Sequence, residues 1–533
     1  MVKLEPFALP NAPFMPAGVP PLQLKESDLE GRTALRTSSY TIYVDLPGNP
    51  DDMLLVHAYT GAYDLVSKRV ATYLRSMESR FAPKPLYGDW TPEPAVEGEI
   101  PRPSDESIAI LKKRGYLVTL SPEEEEALFT KLSAQHHFAT LRRVPGYILM
   151  PTYQCNLRCP YCFQDHMRTK PEYSHLLKVM DRKMADRILK GMRNIEAAHG
   201  YGEDAEIVRN LTFFGGEPLL AKSRPIVQYF IEQLRARGRV DLSAVTNATE
   251  LDAYEDLLDP KTGIAALQVT LDGPPQEHDR RRIYADGSGS FDRIAKNLTM
   301  ALDKGVFVSV RMNIDRNNIS QIPELAEVFQ AQGWAGRDNF RPYAAAINAS
   351  TENVAQKTTF NSWQLSQALQ ELVQQHPNVA TIAVTDDSLQ MRARQIFDKK
   401  ATSNNFSTSF CGAHTGMYVL DAFGDMYACW ERTGDTKLRI GHIQESGDVL
   451  MNRSLLDTWR GRNVVSNPVC RKCRYATSCG GGCAVLAEAT SGVLYKNFCD
   501  GYAQRFRANV AKAYLAHLKG EKQAATFERL CEA

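Results

Sequence analysis

Between residues 145 and 346 the chain alternates short apolar β-forming runs with amphipathic helical runs six times, and few folds accept that order. The strand candidates are GYILMPT, VRNLTFF, VDLSAVT, ALQVTLD, VFVSVRMNI and NFRPYAAA. MADRILKGMRNI, RPIVQYFIEQLRARG, FDRIAKNLTMALDKG and IPELAEVFQAQG are helical segments among them. Serial β/α units imply a parallel sheet, here a partial or full barrel. In such sheets the chemistry gathers at the C-terminal strand ends. The loop after the first strand, PTYQCNLRCPYCFQ, carries Cys155, Cys159 and Cys162. The loop after the second carries Phe213-Phe214-Gly215-Gly216-Glu217-Pro218. Both loops therefore belong on one face.

Ten of the 11 cysteines fall into two spaced groups. The first is the C-x3-C-x2-C triplet just described. The second is Cys411 and Cys429, then Cys470, Cys473, Cys479 and Cys483, then Cys499. Thiolates this close are ligand sets for soft metals such as zinc, copper or iron–sulfur iron. Three ligands leave a coordination position open, which points to chemistry rather than structure. Zinc remains an alternative for both groups at this point. Cys531 fits neither group and is read as a bystander.

The bulk composition narrows the partners. A net charge of +1 argues against nucleic acid or an anionic membrane as the main partner. No apolar run approaches the roughly 18 residues of a membrane span, and the N-terminus lacks the apolar core of a secretory signal. So many cysteines in an unsecreted chain read as metal ligands in a reducing compartment, which makes the expected location cytoplasmic.

At 533 residues several domains are expected. Residues 1–37 read as a proline-rich flexible arm and 38–140 as a small domain with two strands, SYTIYVDL and MLLVHAY, and a helix DLVSKRVATYLRSM. A Pro/Glu/Gly-rich loop interrupts it. Ser121, Pro122 and Glu123 to Glu126 read as a helix start with N-cap, N1 proline and first-turn acids. The barrel occupies 141–350, a helical linker 351–404, the cysteine-dense region 405–505, and a C-terminal helix and tail 506–533.

Cys155, Cys159 and Cys162, with Tyr161 before the last cysteine, resemble the binding loop of the radical S-adenosylmethionine (SAM) superfamily. The resemblance implies a [4Fe–4S] cluster held by three thiolates, with the fourth iron free to chelate SAM. One-electron cleavage of a C–S bond then yields a 5′-deoxyadenosyl radical that abstracts hydrogen. Gly215, Gly216 and Glu217 match the family's GGEP element. There the glycines let backbone approach the ligand, and Glu217 accepts from the ammonium of SAM. Thr270-Leu271-Asp272-Gly273-Pro274, His278-Asp279 and Arg282 resemble the segment of the subfamily with extra clusters. That match implies Thr270 on the ribose side of SAM and Arg282 on its carboxylate. Asn247 and Arg311, at strand ends, are further pocket candidates.

The seven C-terminal cysteines, with Gly424 opening the GDMYAC hairpin, resemble the SPASM domain, which carries two auxiliary [4Fe–4S] clusters. By that pattern Cys411, Cys429 and Cys483 hold the first, and Cys470, Cys473, Cys479 and Cys499 close the second. The cofactors implied are SAM and three [4Fe–4S] clusters. The first auxiliary cluster has three cysteines by this count; either another residue completes it or one iron stays open.

The implied fold is α/β, a partial (β/α)6 radical SAM barrel between a winged-helix-like N-terminal domain and an iron–sulfur C-terminal domain. The implied enzyme is a peptide maturase that leaves a crosslinked or otherwise oxidised ribosomal peptide. Its partners would be a precursor peptide bound through its leader and an electron donor such as flavodoxin or ferredoxin, with no nucleic acid and no membrane. The N-terminal domain resembles small winged-helix modules that pair a leader with a sheet edge. The alternative is an anaerobic sulfatase maturase, which makes formylglycine. That family usually has Gln before GGEP and Asp after the cysteine matching Cys429, where this chain has Phe214 and Trp430. Glu431, one step on, is a candidate proton acceptor. A non-enzymatic iron–sulfur electron carrier would need neither GGEP nor the open triplet.

Overall fold

The computed structural model describes residues 5–6, 24–78, 100–347, 354, 358–382, 387–397 and 406–520. Most of the N-terminal arm, the middle of the Pro/Glu/Gly-rich loop and Cys531 lie outside the described residues. The chain forms two compact units. One holds Met1–Asn11, Thr140–Thr385 and Gly412–Gly461; the other holds Ala12–Ala139, Asp386–Cys411 and Arg462–Ala533.

In the first unit six parallel strands stand side by side in chain order: Gly146–Met150, Arg209–Phe213, Val240–Thr246, Ala266–Thr270, Phe307–Ile314 and Phe340–Ala346. Along the third and fifth strands burial alternates. Leu242, Ala244, Val308, Val310 and Met312 are fully buried, whereas Ser243, Ser309, Arg311 and Asn313 are only half-buried. Successive side chains of a strand face opposite ways. The apolar set packs under helices such as Phe291–Asp303, whose Ile294, Leu298 and Ala301 are buried. The alternate set is polar. Thr212 and Ser243 share a hydrogen bond of 2.8 Å, and Tyr343 donates to Gln268 at 2.7 Å. A barrel lined with polar, half-buried side chains is built to hold a ligand rather than a dry core.

The sheet continues past its first strand. Met417–Asp421 pairs parallel to Gly146–Met150 in register, Met417 opposite Gly146 and Asp421 opposite Met150. Asp425–Tyr427, Gly441–Ile443 and Val449–Met451 follow antiparallel, and Glu5–Pro6 closes that edge. Gly424, at φ +77°, makes the first hairpin turn, so the expected GDMYAC hairpin forms, as an extension of the barrel sheet.

The second unit is built on an antiparallel sheet of Thr41–Leu46, Asn49–His57 and Tyr63–Ser67. The third strand takes the start of the run read as helix. Met53 pairs with Val66 and Leu54 with Leu65, and the helix begins only at Lys68, where Ser67 Oγ accepts from Val70 N at 3.4 Å. Cross-strand burial of Leu65 and Val66 outweighs their helical spacing. One sheet face, with Tyr43, Met53, Leu55 and Val66, packs on Val70, Leu74, Ile108 and Leu111. The other, with Ile42, Val44, Leu54 and Val56, packs on Leu389, Phe506 and Val510. Among the described residues neither outer edge pairs further.

The glutamate run does open a helix, Pro122–Leu141. Glu124 N donates to Ser121 Oγ at 3.2 Å and Ser121 N to Glu124 Oε2 at 2.7 Å, a reciprocal capping box. Glu125 is fully buried and ion-paired with Arg36 at 2.7 Å. Among the described residues no helix is long and apolar enough to cross a membrane.

Candidate active site

Loops leaving the C-terminal ends of the first two barrel strands meet backbone to backbone. Phe214 N donates to Leu149 O at 2.9 Å, Gly216 N to Thr152 O at 3.1 Å and Glu217 N to Gln154 O at 2.7 Å. A Cβ on Gly215 (φ +137°) would collide with the Thr152 carbonyl, and one on Gly216 with the carbonyls of Tyr153 and Gln154. Only glycine permits this approach. It pins the segment that launches the cysteine loop.

Cys155, Cys159 and Cys162 are free thiols on that loop. Cys162 N donates to Cys159 O at 3.1 Å, closing a turn that carries two of them. Three N–H donors reach sulfur. Leu157 N lies 3.4 Å and Asn247 Nδ2 3.7 Å from Cys155 Sγ, and Arg168 Nη2 lies 3.0 Å from Cys162 Sγ. Burial raises the Cys155 thiol and pushes that of Cys159 up to about 12. A buried sulfur with such donors is prepared for a cationic centre that takes it as thiolate.

Glu217 is buried under the loop. Its Oε1 accepts from Thr246 Oγ1 at 2.6 Å and Leu219 N at 2.9 Å, and its Oε2 from Asn247 N at 2.6 Å. Those bonds fill three of about four acceptor sites on a carboxylate. Burial, only partly offset by these donors, pushes the carboxyl up to about 7. Asn247 also donates to Asn156 Oδ1 at 2.9 Å, tying the third strand to the cysteine loop.

Tyr161 reaches the ends of the fourth and fifth strands. Its hydroxyl donates to Asp272, and it accepts from Arg282 Nη1 at 2.8 Å. Asp272 Oδ1 in turn accepts from Asn313 N at 2.9 Å. Arg282 is buried, with Cys159 as the leading charge partner that raises it, and its Nε lacks a hydrogen-bond partner. Thr270 is buried at the end of the fourth strand, in register with Arg311, whose Nε donates to Asn313 Oδ1 at 2.9 Å. Cys429 and Glu431 flank Trp430 in the turn beyond the Asp425–Tyr427 strand. Trp430 packs on Phe214 with ring centroids 5.9 Å apart.

The second unit holds Cys411, Cys470, Cys473, Cys479, Cys483 and Cys499, all free thiols, whereas Cys429 belongs to the first. Cys470, Cys473, Cys479 and Cys499 lie within electrostatic reach of one another, and together with burial push Cys470 up to about 12 and Cys479 well above the thiol range. Asn467 Oδ1 accepts from Cys470 N at 3.3 Å, and Asn497 Nδ2 donates to Cys499 Sγ at 3.2 Å. Gly480, Gly481 and Gly482 are all left-handed, at φ +70°, +87° and +76°. A Cβ on Gly482 would strike the Phe498 carbonyl.

Sequence reasoning missed two arginines. Arg168 sits one helical turn past the cysteine triplet and touches its last sulfur. Arg462 faces Cys470, Cys483, Cys411 and Cys479. Neither has a motif spacing that would have exposed it. Asp272 was visible within a motif, and its contact with Tyr161 was not.

Residues 149–329 match the family model described as the Radical SAM superfamily. This chain carries a radical SAM domain. The three thiols, their N–H donors and the GGEP approach fit the [4Fe–4S] cluster and SAM of that superfamily. The chain is 24% identical over 383 residues to the cysteine-type anaerobic sulfatase-maturating enzyme of Clostridium novyi, covering 69% of this chain and 96% of that one. It is 25% identical over 351 residues to the mycofactocin maturase MftC of Mycobacterium tuberculosis, covering 62% of this chain and 76% of the relative. In fold it resembles anSMEcpe with bound AdoMet and the Cp18Cys peptide, at a TM-score of 0.50, 16% identity, and coverage of 71% and 100%. The architecture is thus that of a radical SAM enzyme.

Proposed function

We propose that this radical SAM enzyme is a SPASM-type maturase that takes a hydrogen atom from a peptide and yields a crosslinked or otherwise oxidised ribosomal product. The observation that carries the reading is the cysteine triplet held against Gly215-Gly216-Glu217 at the mouth of a polar-lined barrel. Likeness to two maturases, and to a structure with a bound peptide, supports a polypeptide substrate. When bound at the triplet, cluster and SAM supply one-electron C–S cleavage and hydrogen-atom abstraction. Two further clusters at the C-terminal cysteines bring the count to three.

The chain's own residues bind and orient. Gly215 and Gly216 leave backbone room, and Glu217 offers its remaining acceptor site to the ammonium of SAM. Arg282 presents its unpartnered Nε to the SAM carboxylate, with Tyr161 fixing the guanidinium from the other side. Thr270 would face the ribose and Arg311 would line the pocket, and Asn247 holds Cys155. Glu431 serves as proton acceptor. A leader peptide would extend an open edge of the Thr41–Ser67 sheet by backbone pairing, and a flavodoxin or ferredoxin would supply the electron. Free thiols at all ten described cysteines fit a reducing, cytoplasmic setting.

The test is anaerobic co-expression with a short open reading frame beside the gene, with the peptide weighed before and after. Loss of two hydrogens supports a crosslink or desaturation. Absence of 5′-deoxyadenosine from reduced, SAM-loaded protein overturns the catalytic reading. Sulfatase maturation is the second reading, favoured by the likeness spanning 69% of the chain. Against it stands the Phe214–Trp430 aromatic pair, which occupies the two positions where that family usually has Gln and Asp. A synthetic sulfatase peptide separates the two: formylglycine in it supports the second reading alone.

A further inference from the structure

The guanidinium of Arg168 has too few partners for where it sits. Its side chain is 3% exposed, yet Nε and Nη1 have no hydrogen-bond acceptor. The third nitrogen, Nη2, donates to Cys162 Sγ at 3.0 Å, and the nearest carboxylate, Asp165, is 3.9 Å away. Buried polar groups in proteins are almost always satisfied, and open donors on a buried cation are a costly exception. Two orphaned donors on one such cation mark an acceptor that belongs beside the thiols.

We propose that Arg168 is a tuning residue of the triplet's [4Fe–4S] cluster, spending Nε and Nη1 on cluster sulfur while Nη2 stays on Cys162. N–H···S bonds and a fixed positive charge both favour the form of a cluster that carries the extra electron. Arg168 therefore makes the cluster easier to reduce, the step on which SAM cleavage depends. Arg158, the other arginine of the loop, is built differently. It donates to the carbonyls of Cys155 and Leu157 at 2.9 and 3.0 Å, and so braces the loop.

This inference rests on the triplet holding the cluster and not on the peptide substrate. The test uses the full chain, anaerobically reconstituted, as wild type, Arg168→Gln and Arg168→Lys. The midpoint potential is read by EPR-monitored titration, following the one cluster signal that changes shape on adding SAM. A shift to more negative potential in Arg168→Gln, with a smaller shift in Arg168→Lys and retained iron, is the expected result. An unchanged potential in either variant that keeps its iron overturns the proposal. So does loss of iron from both, which would make Arg168 a structural brace. An unchanged potential with weakened SAM binding would move Arg168 to the SAM site instead. If wild type shows no SAM-responsive cluster, the cluster assignment itself fails, independently of any peptide result.

Discussion

The Cys155–Cys162 loop and the C-terminal cysteine segment each gather thiols around a buried arginine, and the two arginines are used in opposite ways. Arg168 spends one nitrogen on Cys162 sulfur and keeps two without partners. Arg462 spends its guanidinium on four carbonyls, those of Leu494, Gly482, Gly481 and Lys496, at 2.7 to 3.1 Å. The first leaves donors for something that must change charge. The second ties down the backbone of the left-handed Gly481 and Gly482. Open donors belong to a centre that reacts, and closed donors to a centre that is held.

Four substitutions test that contrast. The largest effect is expected from Cys159→Ala. It should abolish 5′-deoxyadenosine formation and remove one cluster's iron, while the C-terminal iron stays. Wild-type cleavage by this variant would remove the triplet from the chemistry. Gly482→Ala comes next, because its Cβ must enter the Phe498 carbonyl at a φ that strains any L side chain. It should cost about 2 kcal/mol or more and deplete C-terminal iron, with SAM cleavage retained. Thermal melts and iron analysis read both. Arg462→Lys keeps the charge and loses the fork, at a cost of about 2 kcal/mol from broken buried hydrogen bonds. It should lower the melting temperature without moving the SAM-responsive cluster signal.

The smallest effect concerns pH. The Glu217 carboxyl is raised from 4.5 to about 7 in the ligand-free chain. A raised acid favours the folded state when protonated, so its contribution is full below pH 4.5 and falls as pH climbs toward 7. Glu217→Gln should flatten that decline in melts of ligand-free protein. SAM's ammonium needs the ionised form, so SAM affinity should rise over the same window in wild type and not in the variant.

Much of this was legible because it is local. Strand–helix alternation and the spacing of Cys155, Cys159 and Cys162 are patterns within a few turns of chain, and the family match covers that stretch. The Tyr63–Ser67 strand was hidden because most of its five residues open a run with helical spacing, and only their pairing with Asn49–His57 decides them. Met417–Asp421 is not predicted as a strand, and its parallel partner, Gly146–Met150, lies far upstream, where no spacing rule reaches. The roles of Arg168 and Arg462 depend on what is absent from or present around each nitrogen. Only the folded chain brings those partners together.

The parallel pairing of Met417–Asp421 with Gly146–Met150 has a consequence for cooperativity. Met417–Asp421, the first strand of the hairpin that runs on to Cys429, shares its backbone hydrogen bonds with the strand that launches Cys155. Amides in the two strands should therefore exchange with solvent together, as one opening event, although the chain between them is long. Uncoupled exchange would mean that two cysteine-bearing segments keep separate clocks. Coupled exchange would mean that neither can loosen while the other stays poised.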